Sequence, residues 1–154
     1  MSTFAGSNSN FTPSTSVDNY VLDATNTTGA VGIVESIGWG GQLNTATSYR
    51  TTWARPATNA SSTFTSVTPQ AGNPAQTPVC RLGTFATSAS LSAEPAGLFT
   101  ESWNAFGGLG YVTFPINGAW IVVGTTTAGQ GQIACRNRAG TDASGSTYGI
   151  SWRE

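Results

Sequence analysis

The chain has no lysine and no histidine, and six arginines and seven carboxylates are its only formal charges over 154 residues. Soluble domains carry about a quarter charged residues, so solubility here must come from hydroxyls and amides, Ser and Thr above all. Without histidine there is no side chain that titrates near neutrality, no imidazole metal ligand and no Ser-His or Cys-His relay. That removes most familiar hydrolases. No acid pair or nucleophile with a base can be assembled from what remains, so an enzyme is not expected and no cofactor is called for. The arginines, spread from Arg50 to Arg153, supply no basic face to displace counterions from phosphates, and no nucleic-acid partner is expected. No stretch approaches the roughly twenty apolar residues that span a bilayer, and residues 1–10 have neither the basic start nor the apolar run of a signal peptide. The expectation is a chain made in the cytoplasm with no membrane partner. Its formal net charge of -1 lets copies pack side by side without accumulating repulsion, which suits a component of an assembly.

Cysteine is also scarce. Cys80 and Cys135 each precede an arginine, and their spacing fits no metal motif. Two readings stay open: small buried apolar residues, or a disulfide tying two strands. Three sequons, at Asn10, Asn26 and Asn59, are expected by chance in a chain with ten asparagines and so much Ser and Thr. The stretch Gly140 to Gly145 resembles a fragment of a calcium loop, but Asp142 is its only carboxylate, so it reads as a turn and no metal site is expected.

What the chain does have is glycine, proline, hydroxyl residues and short aromatic or β-branched runs. Residues 1–17 are Ser, Thr, Asn, Gly and Pro with isolated Phe4 and Phe11, too polar to build a core element. They read as an extended N-terminal arm. It is either a disordered terminus or a segment that orders by adding to a neighbour's sheet edge, with Phe4 and Phe11 as anchors. Residues 18–154 read as one all-β domain, a single jelly-roll-like β-sandwich, because 19 glycines and 7 prolines interrupt every stretch long enough for a capped helix. Strands are expected at 19–24, 30–39, 45–55, 62–68, 78–86, 109–116, 119–126, 131–138 and 146–153, with 95–106 either a further strand or a covering loop.

Asn117-Gly118 is the strongest short turn signal, and a two-residue type I′ hairpin there pairs Ile116 with Ala119, Phe114 with Ile121 and Val112 with Val123 on a core face. Tyr111, Thr113, Pro115, Trp120 and Val122 then share the other face. That face is apolar enough to be covered by a loop or another subunit, which makes Tyr111 and Trp120 candidate contact residues. Pro115 lacks an N–H and marks an edge. The four strands from 109 to 153 would form a meander.

Val31, Ile33, Glu35, Ile37 and Trp39 alternate on one strand, which places Glu35 on an apolar face where a carboxylate needs a partner. The preferred reading is an ion pair with Arg50 or Arg55, and the next is a bulge that turns Glu35 outward. The stretches Val34 to Gln42 and Asn44 to Pro56, with the closing Ile150-Ser151-Trp152-Arg153-Glu154, resemble small β-rich structural proteins of tailed bacteriophages. The resemblance implies a virion protein on the capsid surface, of the decoration or cement class, contacting the major capsid protein and itself as a homodimer or homotrimer. It brings no catalytic residues. The alternative is a carbohydrate- or receptor-binding module that stacks sugars on exposed tryptophans. The five tryptophans are expected in the core, as aromatics of all-β domains usually are.

Overall fold

In a computed structural model, the described residues are 1–11, 20–41, 48–59, 63–85, 98–104, 106, 109–125, 127, 129–139 and 146–154. Twelve strands run through them: β1 (Thr3–Phe11), β2 (Tyr20–Asp23), β3 (Val31–Gly41), β4 (Ser48–Ala54), β5 (Phe64–Val67), β6 (Gln70–Ala71), β7 (Arg81–Phe85), β8 (Phe99–Asn104), β9 (Leu109–Thr113), β10 (Ile121–Val123), β11 (Gln132–Ala139) and β12 (Ser146–Arg153). All pairings are antiparallel. The first sheet runs β10-β3-β12-β1-β6, with β9 also on β3, and the second runs β5-β7-β2-β11-β4-β8.

The two sheets share one core, as the period-two patterning requires. Phe4, Val34, Ile37, Val122, Tyr148, Ile150 and Trp152 come from the first sheet, and Leu22, Trp53, Leu82, Ile133 and Cys135 from the second. Trp53 and Trp152 are fully buried. A side chain of that size removes so much apolar surface from water that each contributes on the order of 4–6 kcal/mol of transfer free energy. Both cysteines are free thiols buried in this core, so the disulfide alternative is not what forms.

The arm expectation is corrected over residues 3–11. β1 lies inside the first sheet, paired with β12 on one side and β6 on the other. Phe4 is 1 % exposed, with its ring 5.8 Å from that of Trp152. A strand held by backbone ladders on both sides needs few apolar side chains of its own, so its polarity was a misleading guide. The 18–154 domain boundary therefore cuts through the sandwich. Phe11 ends β1 opposite Ser146, and its side chain lies outside the described part, as do residues 12–17.

The hairpin and the meander are corrected as well. β9 and β10 do not pair with each other. Both run along the same side of β3, β9 beside Ser36 to Gly40 and β10 beside Val31 to Ile33. Between them the chain makes an excursion with a 3₁₀ turn at Ile116–Gly118, where Gly118 N–H donates to Pro115 C=O at 2.8 Å. It rejoins the ladder cleanly: Phe114 N–H donates to Glu35 C=O and Val34 N–H to Trp120 C=O, both at 2.8 Å. Positive φ is confined to Gly29 and Gly129 among the described glycines, so Gly118 does not take the conformation a type I′ turn needs. Val112 and Phe114 face the core as expected, but β10 is inverted, with Val122 fully buried and Ile121 43 % exposed. β11 belongs to the second sheet, between β2 and β4, which dissolves the meander. The edge position expected from Pro115 is the one β9 occupies.

Candidate functional site: an outer face and a buried polar row

Two features stand apart from ordinary core and loop. One is the outer face of the first sheet. Ala5 and Ser7 of β1, Thr147, Gly149 and Ser151 of β12, and Ser36 and Gly38 of β3 form the floor of a trough of about 820 Å³. Gln70 stands at one side, and Tyr111, 67 % exposed, at the other. The Tyr111 ring lies over Gly38, where an added Cβ would meet its Cδ2 at 3.5 Å. On the neighbouring β9 position, Gly110 is covered by the Trp39 indole, which occupies the space a side chain would need. Small residues thus do two jobs here: they open the trough and admit the rings that border it. Further along the same edge, Val31 and Ile121 are 44 % and 43 % exposed, flanked by Ile33 and Val123 on that face. The trough lining carries no formally charged side chain.

Glu35 lies on this sheet, and its surroundings correct the preferred reading of the sequence. The register of β3 on β12 shifts there, Ser36 facing Ser151 and Val34 facing Trp152, so Glu35 is the extra residue of a β-bulge. The bulge reverses the parity of β3: Gly32 and Val34 point inward before it and Ile37 after it. Its carboxylate lies 3.7 Å from Arg153 Nε, so the ion-pair partner is neither Arg50 nor Arg55. Arg50 is on β4 of the other sheet, with an exposed side chain. Arg55 follows β4 and donates to Ile121 C=O at 2.6 Å and Gly129 C=O at 3.2 Å, bracing the β10 edge. Burial lowers its pKa from the ordinary guanidinium value.

Of the other candidates, Phe4 is a core residue and Trp120 points inward. The Trp120 ring is 4.4 Å from Phe114 and 6.4 Å from Trp53, so it does not share the Tyr111 face. All five tryptophans lie in or against the core, and none offers the exposed platform a sugar site needs.

The second feature was not anticipated. Asn137 of β11, Thr51 of β4 and Glu101 of β8 are directly paired across three adjacent strands, so their side chains share the inner face in one row. Thr51 is fully buried. Its Oγ1 accepts from Trp103 Nε1 at 3.0 Å and lies 3.2 Å from the Tyr148 hydroxyl of the opposite sheet. Trp103 also stacks on Tyr49 at 4.8 Å. On either side of Thr51, both amide atoms of Asn137 and both carboxyl oxygens of Glu101 are buried without a hydrogen-bond partner. Burial pushes the Glu101 carboxyl up to about 8. Burial also raises the Tyr148 phenol, with Cys135 adding to it, Thr51 opposing through its hydrogen bond, and Glu101 and Tyr49 contributing least.

Asp23 shows how this chain satisfies a buried carboxylate elsewhere. It accepts from Thr25 Oγ1 at 2.7 Å, Thr25 N–H at 3.3 Å, Gln132 Nε2 at 2.8 Å and Arg81 Nε at 2.5 Å. No such set surrounds Glu101. An alternating Phe99, Glu101, Trp103 pattern was the available signal for it, a carboxylate spaced by two from aromatics on each side.

Among the described residues, no group of three or more Cys, Asp and Glu side chains could hold a metal ion, and no helix is long and apolar enough to cross a membrane. Compared with protein-family models, curated proteins and solved structures, the chain matches none of them.

Proposed function

We propose that the chain is a non-enzymatic structural component of a protein shell, of the capsid decoration or cement class made by tailed bacteriophages. It bridges shell subunits through the outer face of its first sheet and the apolar side chains exposed along the β9–β10 margin of that sheet. The observation that carries the reading is the exposed apolar set Tyr111, Ile121 and Val31 along that margin, of which Tyr111 borders a trough without formal charge. Exposed apolar side chains grouped on one face are a liability unless something covers them. A shell of repeated subunits supplies that cover, and multivalent seating lets each copy contribute modest affinity. The low charge of the whole chain supports the same reading, because neighbouring copies repel little.

The alternative, a carbohydrate- or receptor-binding module, draws support from Tyr111, the partly buried Trp39 and the hydroxyls of the trough, the other four tryptophans lying in or against the core away from it. The test is made on gradient-purified particles from cells expressing the gene. The chain is expected to co-sediment with heads in many copies. A Tyr111→Arg/Ile121→Arg variant, folded by circular dichroism, is expected to stay in the soluble fraction. Finding the wild-type chain only in the soluble fraction, or finding the variant on particles at wild-type occupancy, overturns the reading.

A further inference from the structure

We propose that β8 is a latch on the β4 edge, closed while the Glu101 carboxyl is protonated and released when it ionises. The inference is independent of the shell reading.

Among the described residues, β8 pairs with β4 alone and ends the second sheet. Its outward residues Thr100, Ser102 and Asn104 are exposed, while Phe99, Glu101 and Trp103 turn inward and are half-buried. An edge strand has one ladder to lose, whereas β4 and β11 each have two. The Glu101 oxygens are buried, yet they receive no hydrogen bond. A neutral carboxyl tolerates that position, but a carboxylate there needs a cation or several donors.

No cation is in place among the described residues. The groups facing Glu101 from the packed elements are Tyr49 and Thr51 of β4, Cys135 and Asn137 of β11 and Tyr148 of β12. The titratable ones, Tyr49, Cys135 and Tyr148, become negative on ionising, so none can compensate. Arg50 and Arg136 occupy the alternate registers of β4 and β11, beside Ser102 and Thr52, on the opposite face. Burial holds the carboxyl protonated up to about pH 8. From the ordinary carboxylate range up to about pH 8 the opened strand, whose carboxyl ionises in water, gains steadily on the closed one. The least disruptive way to hydrate the charge is for the edge strand to swing out, which uncovers the β4 backbone and the Trp103 ring.

The test is hydrogen exchange on the full chain between pH 6 and 9.5, read by mass spectrometry, with the Glu101→Gln variant as the reference for base-catalysed exchange. Peptides covering β8 and β4 in the wild type are expected to lose protection at alkaline pH by roughly tenfold or more relative to the variant, while β3 and β12 track it. The Glu101 side-chain carbon signal, followed by NMR in the wild type, is expected to titrate well above the ordinary carboxylate range. Equal protection in wild type and variant across the range overturns the latch. So does an ordinary carboxylate midpoint, which decides the matter alone if the glutamine variant does not fold.

Discussion

Trp152 donates its indole N–H to Glu154 Oε1 at 2.9 Å, and the same carboxylate accepts the Val79 and Cys80 amides at 2.7 Å each. One side chain thereby joins the end of β12 to the approach of β7 in the other sheet. The Glu154 backbone adds a reciprocal pair with Ser2, 2.8 and 2.9 Å, that fastens β1 alongside. The thiol of Cys80 is pushed above its ordinary pKa, by burial first and by Glu154 next, so it stays an inert core group.

Glu154→Ala is expected to lower stability by about 2 kcal/mol, because three donors lose a charged acceptor and two of them are partly buried. Urea denaturation measures it. A loss within about 0.5 kcal/mol, the range of an uninvolved surface residue, would show the clamp to be decorative.

Phe4→Ala is expected to cost about 3–5 kcal/mol, as for other buried aromatics, since Phe4 packs on Trp152 between the sheets. Deleting residues 1–11 is expected to abolish cooperative unfolding rather than leave a stable trimmed domain, because β12 and β6 would both lose a partner strand. A truncated protein with an unchanged melting temperature would mean β1 is an appendage after all.

The register along β3 separates the hairpin expected from Asn117-Gly118 from the continuous edge. Val122→Ala is expected to lower stability by about 2 kcal/mol through loss of buried methyls, and Ile121→Ala by under about 0.5 kcal/mol because that side chain faces out. Thermal and urea unfolding of the two variants check the order. A two-residue hairpin predicts the reverse.

The all-β class, the edge at Pro115 and most strand positions were legible because period-two alternation and turn residues are local signals. Other features were not. β1 hides its role because, Phe4 apart, it is held by backbone ladders on both sides rather than by apolar side chains. The course of 114–120 turns on competition between a local turn preference and the free edge of β3, which only the folded sheet presents. Glu35 was read as buried because alternation was counted straight through the bulge, and the bulge was kept only as second choice. The polar row was invisible for the same physical reason: Asn137, Thr51 and Glu101 are far apart in sequence and become neighbours only by strand pairing. The Tyr111 face was read correctly on β9, but Trp120 was assigned to it by carrying the same count across a turn that resets the parity.

The polar row makes its own prediction about stability. Asn137 is fully buried with both amide atoms unpartnered, so folding strips water from a strong donor and a strong acceptor and returns nothing to either. Leucine has nearly the same volume and no such penalty, and removing an unsatisfied polar group without leaving a hole is neutral or stabilising. Asn137→Leu is therefore expected to raise stability by about 1 kcal/mol, whereas Thr51→Val is expected to lower it by a similar amount, because Thr51 serves Trp103 and lies within hydrogen-bond distance of Tyr148. Denaturant titrations of both variants and the wild type at one pH, 6, compare the two effects, since Glu101 is neutral in the fold there and its ionisation on unfolding is common to all three. If Asn137→Leu is instead destabilising by 1 kcal/mol or more, roughly the worth of a hydrogen bond, the amide has partners in solution, with buried water the first candidate, and the row is a satisfied network rather than a strained one.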